Sequence, residues 1–582
     1  MPSAEATPRI VRAPWWLAVL VTVVLVAAAT ANSAAFMAES QNHLEVGEFA
    51  SSACQVARVQ AVSGILTWAV SQHYYPPLYM TWLSLPVTPG VRPSLSTLVL
   101  WSDVLVVAGL LGLALALWRL GASTAAMTVA LCFLLGGPLF NLHTKTLSFE
   151  CGVVGSVGVL LGLLSGPRGL PGRRGAVVLG LAGAVGLLFK WTVAFYVLGP
   201  VAVAIVTWFR TGGTVREALL RLGIAVAVAV AVAGPWYFFC LDWNLIRITA
   251  ENDPTTPPGR WTTNYQVRLL DYFDKLRLGS GYFLWPLLVT GVGVTLFSRP
   301  RGSGLFLSSA LGALLVLPSF QHGEARYLLP LLPATAATAG LGMGSLGGAA
   351  PAVAVAVVGL GALQSVWQST WYHYWHADHR RFAGHQAAAD WEMRLVWPSR
   401  VGRLVYQRFR AWRDFIPHQG GPLSLGVHPL NVHTGLDPQL FFFLANSELA
   451  RGEQTAVAGY DWTSYCKFLD DVQNDRVAFL AVSESIRVAG LDGPRSRAAL
   501  AWTYVRQDGQ GAPCPGPGPP EDPFVLELLR QRYAILERYV DTEGEVWLMV
   551  NRAVWNRSGL VRPIEPVEER PPFFDVLPKN DE

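Results

Sequence analysis

Long apolar stretches recur along this chain as far as residue 367, and they constrain the fold more than any other feature. The first, 14–36, carries no charged residue and is long enough to cross a hydrocarbon core of roughly 30 Å. The later stretches are 95–117, 123–140, 148–165, 175–189, 192–209, 218–240, 281–298, 304–318, 327–344 and 350–367. We therefore predict a polytopic α-helical membrane protein with about eleven transmembrane helices.

The composition agrees with a bilayer protein. Of the 582 residues, 52% are hydrophobic and only 14% are charged, which is too apolar for an ordinary soluble protein. The net charge of +4 is small and no run of Lys and Arg occurs, so we expect no nucleic-acid partner. No cluster of ligands is spaced for a metal ion, so no cofactor is indicated, although a divalent metal requirement stays open.

Arginines in the short connections set the predicted orientation. Short cytoplasmic loops collect Lys and Arg, and one set of loops shares this bias with the N-terminal segment. These arginines are Arg9, Arg12, Arg119, Arg168, Arg173, Arg174, Arg210, Arg216, Arg299 and Arg301. The N-terminus is thus predicted to be cytoplasmic, with outer loops at about 37–94 and 241–280.

After about residue 370 the pattern changes to frequent charges and short apolar runs. Three runs have the length of strands: Leu423–Val427, Val477–Val482 and Val546–Val550. A helix is predicted from Asp522 to Arg538, because Asp522 suits an N-cap and Pro523 the first helical position. We therefore expect an extracytoplasmic α/β domain over 371–582.

Three motifs lie on the predicted outer side of the membrane domain. They read Tyr75-Pro76-Pro77-Leu78-Tyr79, Lys190-Trp191-Thr192 and Arg326-Tyr327-Leu328-Leu329-Pro330. Their order resembles the bacterial membrane glycosyltransferases of the GT-C type that use polyprenyl-phosphate sugars, including the protein mannosyltransferases and aminoarabinose transferases. The resemblance implies a GT-C-like domain over 1–370 that transfers a sugar to an acceptor hydroxyl with inversion.

The resemblance also implies a general base in the first outer loop. Similar enzymes carry an Asp-Glu pair there, whereas this chain has Gly47-Glu48. Glu48 or Glu45 is therefore the expected base, and the alternative is that these glutamates only solvate the loop. Glu150 opens an apolar helix where the family often has Asp, and it is expected to assist the base or to bind the acceptor.

Four basic residues are predicted to bind the donor phosphate: Lys190, Arg326, Lys145 and His143. An ammonium and a guanidinium would stabilise the charge on the departing phosphate. The alternatives are that Lys190 extends to the interface, that Arg326 pairs with Glu324, and that the turn with His143 and Lys145 is simply solvated. The residues expected to shape the loops or the acceptor site are His73, Tyr75, Pro76, Pro77, Tyr79, His322 and Tyr327.

The predicted protein is thus a multi-pass glycosyltransferase of the bacterial inner membrane. Its partners would be a polyprenyl-phosphate-linked sugar and an acceptor that is a lipid, a glycan or a protein. Two other classes stay open, namely a transporter or flippase for a lipid-linked or anionic substrate, and a non-catalytic membrane scaffold.

Overall fold

The structure is a computed structural model, and it describes most of the chain between residues 76 and 367 and several shorter pieces. The described residues are 53–57, 76–89, 91, 93, 95–137, 139–140, 147–240, 265–319, 325–367, 400–416, 423–427, 457–459, 471–472, 474–483, 531–541 and 544–560. They fall into two compact units. The described residues up to 367, apart from 89 and 91, belong to a helical unit, and the described residues from 400 onward belong to the second unit.

The helical unit contains a short helix, α1 (Leu78–Ser84), and a series of apolar helices. These are α2 (Leu95–Arg119), α3 (Thr124–Leu135), α4 (Phe149–Leu164), α5 (Arg173–Phe189), α6 (Val193–Arg210), α7 (Val215–Phe239), α8 (Tyr265–Ser280), α9 (Leu284–Ser298), α10 (Ser303–Val316), α11 (Leu332–Gly344) and α12 (Ala350–Trp367). Short 3-10 helices cover Leu317–Ser319, Ala325–Leu331 and Gly347–Ala349. Each apolar stretch predicted after residue 94 carries a helix, and the first predicted span lies outside the described residues.

Fewer helices meet the length expected of a simple span than the sequence suggested. Within the described residues, four are long and apolar enough to cross a membrane: Thr97–Arg119, Val193–Arg210, Val215–Phe239 and Gly347–Gln364. A fifth span results if α8 and α9, which meet at a bend of 115°, are counted together. Three shorter apolar helices accompany them: Thr124–Leu135, Phe149–Leu164 and Ser303–Ser319.

Helix α4 shows why a short apolar helix is stable in this unit. It packs against α2, α5 and α6, and almost all of its side chains are buried. Glycines let α2 and α4 approach closely, since a Cβ added at Gly158 would lie 2.0 Å from the carbonyl oxygen of Gly109. Small residues at such crossings are typical of helix packing in membranes. Helix α4 is therefore enclosed by protein rather than by lipid.

Gln364 of α12 holds the bend between α8 and α9. Its Nε2 donates to the carbonyl oxygens of Gly136 (2.5 Å) and Ser280 (3.0 Å). Its Oε1 accepts from the backbone N–H groups of Phe283 (3.1 Å) and Leu284 (3.2 Å). One buried side-chain amide thus bonds to backbone groups that the ends of the surrounding helices leave without helical partners.

Replacing Gln364 with leucine is expected to destabilise the helical unit by more than about 2 kcal/mol, because buried backbone groups would lose their partners. The measurement is the midpoint of thermal unfolding of the full chain in detergent. Thr290→Val is the matched control, since the Thr290 hydroxyl is exposed and bonds only to its own helix, at Pro286. Equal midpoints for the two variants would contradict the role of Gln364.

The second unit contains a five-stranded mixed sheet. Its strands are β1 (Leu425–Val427), β2 (Val457–Gly459), β3 (Phe479–Ser483), β4 (Tyr533–Asp541) and β5 (Gly544–Asn551), in the order β2-β1-β3-β5-β4. Strands β2, β1 and β3 are parallel, whereas β5 runs antiparallel to β3 and β4. Helix α13 (Arg400–Phe415) packs on the sheet, and α14 (Arg552–Ser558) follows β5.

The sheet confirms the three strands predicted from apolar runs and corrects the helix predicted over Asp522–Arg538. Residues from Tyr533 onward form a strand, because Tyr533, Ala534 and Ile535 are buried and pair with β5. Tertiary pairing here outweighs the helical signal of the cap. Residues 522–530 lie outside the described part of the chain, and the predicted domain boundary near residue 370 stays a prediction.

Candidate functional site

Segments far apart in sequence meet at the N-terminal end of α4. Tyr79 comes from α1, Glu150 from the first turn of α4, Lys190 from the residue after α5, and Tyr327 from the 3-10 helix Ala325–Leu331. Each belongs to one of the motifs or positions singled out in the sequence. The helical unit therefore gathers them at one place.

Glu150 and Lys190 form a buried ion pair, in which Lys190 Nζ donates to Glu150 Oε1. Only 2% of Glu150 and 5% of Lys190 is exposed. Ser148 is the N-cap of α4, and its Oγ donates to Glu150 Oε2 at 2.5 Å. Both carboxylate oxygens of Glu150 are thus engaged, and the charge lies in the first turn, where the helix dipole favours an anion.

Lys190 owes its inward position to the break between α5 and α6. Its backbone is extended (φ −165°, ψ 135°), so α5 ends there and α6 begins three residues later. A helical backbone at Lys190 would continue α5, whereas its extended backbone lets the Lys190 side chain reach α4. The Lys190 side chain is therefore directed toward α4, where it is buried and bonds to Glu150.

Two cationic side chains lie close to the ring of Tyr327. Lys190 Nζ is 4.5 Å from the centre of its ring, and Arg326 Cζ is 5.8 Å from the same centre. A cation at such distances over an aromatic face is stabilised by the ring quadrupole. Arg326 is half-buried, and its charge also acts on Glu150. Arg326 and Lys190 therefore place two positive charges near one ring, and Arg326 is the more exposed of the two.

Tyr79 supports the beginning of α4. The helix α1 follows Pro77, which is its N-cap, and Tyr79 is fully buried. Its hydroxyl bonds to Ser102 Oγ of α2 at 2.9 Å, and its ring lies 4.9 Å from that of Phe149. The pair Pro76-Pro77 thus leads into α1, and Tyr79 of α1 packs beside Glu150.

A pair of tryptophans fixes α1 to α2. Trp82 Nε1 donates to the carbonyl oxygen of Trp101 at 3.0 Å, and Trp101 Nε1 donates to that of Trp82 at 2.8 Å. Their rings are stacked with centres 4.9 Å apart. This reciprocal pair holds α1 in place, and with it Tyr79.

Several of the predicted site residues lie outside the described residues: Glu45, Glu48, His73, Tyr75, His143, Lys145 and His322. The general base therefore stays a prediction, as does the role of the turn with His143 and Lys145. Of the predicted set, the structure brings together Glu150, Lys190, Arg326, Tyr327 and Tyr79. Pro76 precedes Pro77 at the start of α1.

Sequence reasoning missed three polar residues near this site. Ser148 was detectable as an N-cap before an apolar run, because serine often caps helices and bonds to their first turn. Asp103, which is only 5% exposed, was detectable as a charge within the apolar stretch 95–117. Tyr196 of α6 carried no such signal, since a tyrosine in an apolar helix looks like any other core residue.

Comparison with known proteins gives a likeness of structure and none of sequence. No family model matches the chain, and no curated protein matches it. A crystal structure of ArnT from Cupriavidus metallidurans bound to undecaprenyl phosphate is 16% identical, with a TM-score of 0.48, and the match covers 80% of this chain and 94% of that one. The apo structure of the same protein is 15% identical, with a TM-score of 0.47 and the same coverage.

Among the described residues, no group of three or more His, Cys, Asp or Glu is placed to hold a metal ion. The predicted residues that the structure brings together at the site are one carboxylate, two cations and two tyrosines: Glu150, Lys190, Arg326, Tyr327 and Tyr79.

Proposed function

We propose that the protein is an inverting glycosyltransferase of a bacterial inner membrane, which moves a sugar from a polyprenyl-phosphate donor to an acceptor hydroxyl on the outer face. The observation that carries the proposal is the buried Glu150–Lys190 pair beside Arg326, in a helical unit built for a membrane. Buried charges within a membrane unit are costly and usually functional. Two cations near one aromatic ring, Lys190 buried and Arg326 half-buried, suit a lipid phosphate.

The cations would act on the leaving group. In the reaction the acceptor oxygen bonds to the anomeric carbon, the bond from that carbon to the phosphate oxygen breaks, and the polyprenyl phosphate leaves with the electron pair. Negative charge grows on the phosphate in the transition state, so fixed cations stabilise that state more than the bound donor. Arg326 offers a planar fork of donors, and Lys190 offers a point charge.

Glu150 is better suited to orienting Lys190 than to removing the acceptor's proton. Its two oxygens already accept from Lys190 and Ser148. A general base needs a free oxygen within reach of the hydroxyl proton. We therefore assign removal of the acceptor's proton to Glu48 or Glu45 of the first outer loop. The second unit, which contains the sheet, would shape the access of the acceptor, which is a lipid, a glycan or a protein.

The test is binding and turnover by the full chain in detergent. Undecaprenyl phosphate is the binding probe, and undecaprenyl-phosphate-linked sugars are the donors. We expect the protein to bind the probe and to release sugar from at least one donor when an acceptor is present. Binding without sugar release, together with movement of the labelled lipid across reconstituted vesicles, would overturn the proposal in favour of transport.

Arg326→Gln is expected to weaken the binding of undecaprenyl phosphate by about tenfold to a hundredfold, because a charged hydrogen bond contributes about 1.5–3 kcal/mol. Arg326→Lys should recover only part of this, since lysine lacks the fork. The control is Arg173→Gln. Arg173 is the first residue of α5, at the opposite end of that helix from Lys190, and it is exposed and pairs with Glu217 at 3.4 Å. Equal affinities for Arg326→Gln and Arg173→Gln would exclude Arg326 from the phosphate site.

A further inference from the structure

A proline in the 3-10 helix Ala325–Leu331 leaves one of its carbonyl groups without the usual donor. A 3-10 helix joins each carbonyl to the N–H three residues later. For Tyr327 that residue is Pro330, which has no N–H. The carbonyl beside Arg326 therefore requires a donor from elsewhere in the fold.

Tyr196 supplies that donor. Its hydroxyl donates to the carbonyl oxygen of Tyr327, across a sequence separation of 131 residues. Tyr196 is fully buried, so water does not compete with its hydroxyl for this hydrogen bond. The 3-10 helix is thus joined to α6 at the residue whose ring lies close to both Lys190 and Arg326.

Helix α6 is itself fixed at this point. Ser309 Oγ of α10 donates to the carbonyl oxygen of Tyr196 at 2.6 Å. One turn away, a Cβ added at Gly199 would lie 2.3 Å from the carbonyl oxygen of Ser308, so the two helices are in close contact. Tyr196 therefore presents its hydroxyl from a rigid part of the unit.

We propose that Tyr196 is a positioning residue, whose hydroxyl replaces the N–H that Pro330 lacks and so sets Arg326 and Tyr327 against the Glu150–Lys190 pair. This rests on the proposed function, because the placement matters if Arg326 binds a phosphate. Tyr196 acts through Tyr327 and does not contact the donor. Precise placement of charged groups is what a phosphate site requires.

The test compares Tyr196→Phe with the double variant Tyr196→Phe/Pro330→Ala in the full chain. Phenylalanine removes only the hydroxyl, whereas alanine at 330 restores an N–H three residues after Tyr327. We expect faster hydrogen exchange at the amides of 326–331 in Tyr196→Phe, and slower exchange again in the double variant. We also expect about tenfold weaker binding of undecaprenyl phosphate in the single variant, with partial recovery in the double.

Tyr265→Phe is the matched control, because the Tyr265 hydroxyl also donates to a backbone carbonyl, that of Leu315, at 2.7 Å. It should leave the exchange at 326–331 and the affinity unchanged. Unchanged exchange in Tyr196→Phe would overturn the positioning role. Faster exchange in that variant, together with a parent protein that does not bind undecaprenyl phosphate, would instead overturn the proposed function and leave the structural bond in place.

Discussion

Replacing Lys190 with methionine is expected to lower the free energy of unfolding by about 3–5 kcal/mol, because Glu150 would be left as a buried charge without its cation. Lys190 and Glu150 are 5% and 2% exposed, so water cannot take the place of the lost partner. The measurement is denaturant unfolding of the helical unit in mixed detergent micelles. Donor binding should be lost as well, since Lys190 is one of the two proposed phosphate cations.

A double-mutant cycle separates the pair from its surroundings. Glu150→Gln alone should also destabilise the unit, because it leaves the ammonium of Lys190 buried. The double variant Glu150→Gln/Lys190→Met should be less destabilised than the sum of the single variants by about 1–3 kcal/mol. Its binding of undecaprenyl phosphate should nevertheless remain weak, because the cation is still missing.

The matched control is Lys275→Met on α8. Lys275 pairs with Asp271 at 2.6 Å, and although the Lys275 side chain is 13% exposed, that of Asp271 is 47% exposed. A pair with one partner open to water contributes less than about 1 kcal/mol, because water solvates the carboxylate when the lysine is removed. A loss in Lys190→Met as small as that in Lys275→Met would show that the Glu150–Lys190 pair is not buried as the structure describes.

Gly158→Ala is expected to destabilise the helical unit by about 3 kcal/mol or to prevent its folding. The added Cβ would lie 2.0 Å from the carbonyl oxygen of Gly109, and its three nearest atoms all belong to the backbone of Gly109, which cannot rotate away. Overpacking of a tight contact costs about 1–3 kcal/mol and sometimes more. The measurement is the yield of monodisperse protein in detergent, followed by denaturant unfolding of what is recovered.

Gly183→Ala on α5 is the control for that substitution. A Cβ at Gly183 meets no atom within 4 Å, so alanine adds no clash. It should leave stability unchanged or raise it by up to about 1 kcal/mol, since alanine is the better helix former. If the free energy of unfolding of Gly158→Ala is no lower than that of Gly183→Ala, α2 and α4 do not cross as closely as the structure describes.

The helical architecture was predictable because the apolar stretches are long and contiguous. Each predicted stretch after residue 94 carries a helix, and the small C-terminal sheet was expected from three apolar runs. What the periodicity could not show is which helices are enclosed by protein, as α4 is, because an apolar residue faces lipid and protein equally well.

The residues of the site could be predicted from the sequence, but the contacts between them could not. Glu150, Lys190 and Arg326 were identified as charges beside apolar helices, but the pairing of Glu150 with Lys190 depends on how α4 and α5 pack. The bond from Tyr196 to Tyr327 depends on a contact across 131 residues, which no local pattern reports. The second strand and the fourth were missed for the same reason, since their partners in the sheet decide their conformation.

The separation between Glu150 and its partners has a consequence for biosynthesis. Glu150 leaves the ribosome 40 residues before Lys190, and Tyr327 follows much later still. A nascent chain in which α4 has been made and Lys190 has not therefore carries Glu150 before the cation that pairs with it in the folded protein. Among the described helices of this unit most precede the 3-10 helix Ala325–Leu331, so the charged centre is completed only after most of the unit has been made.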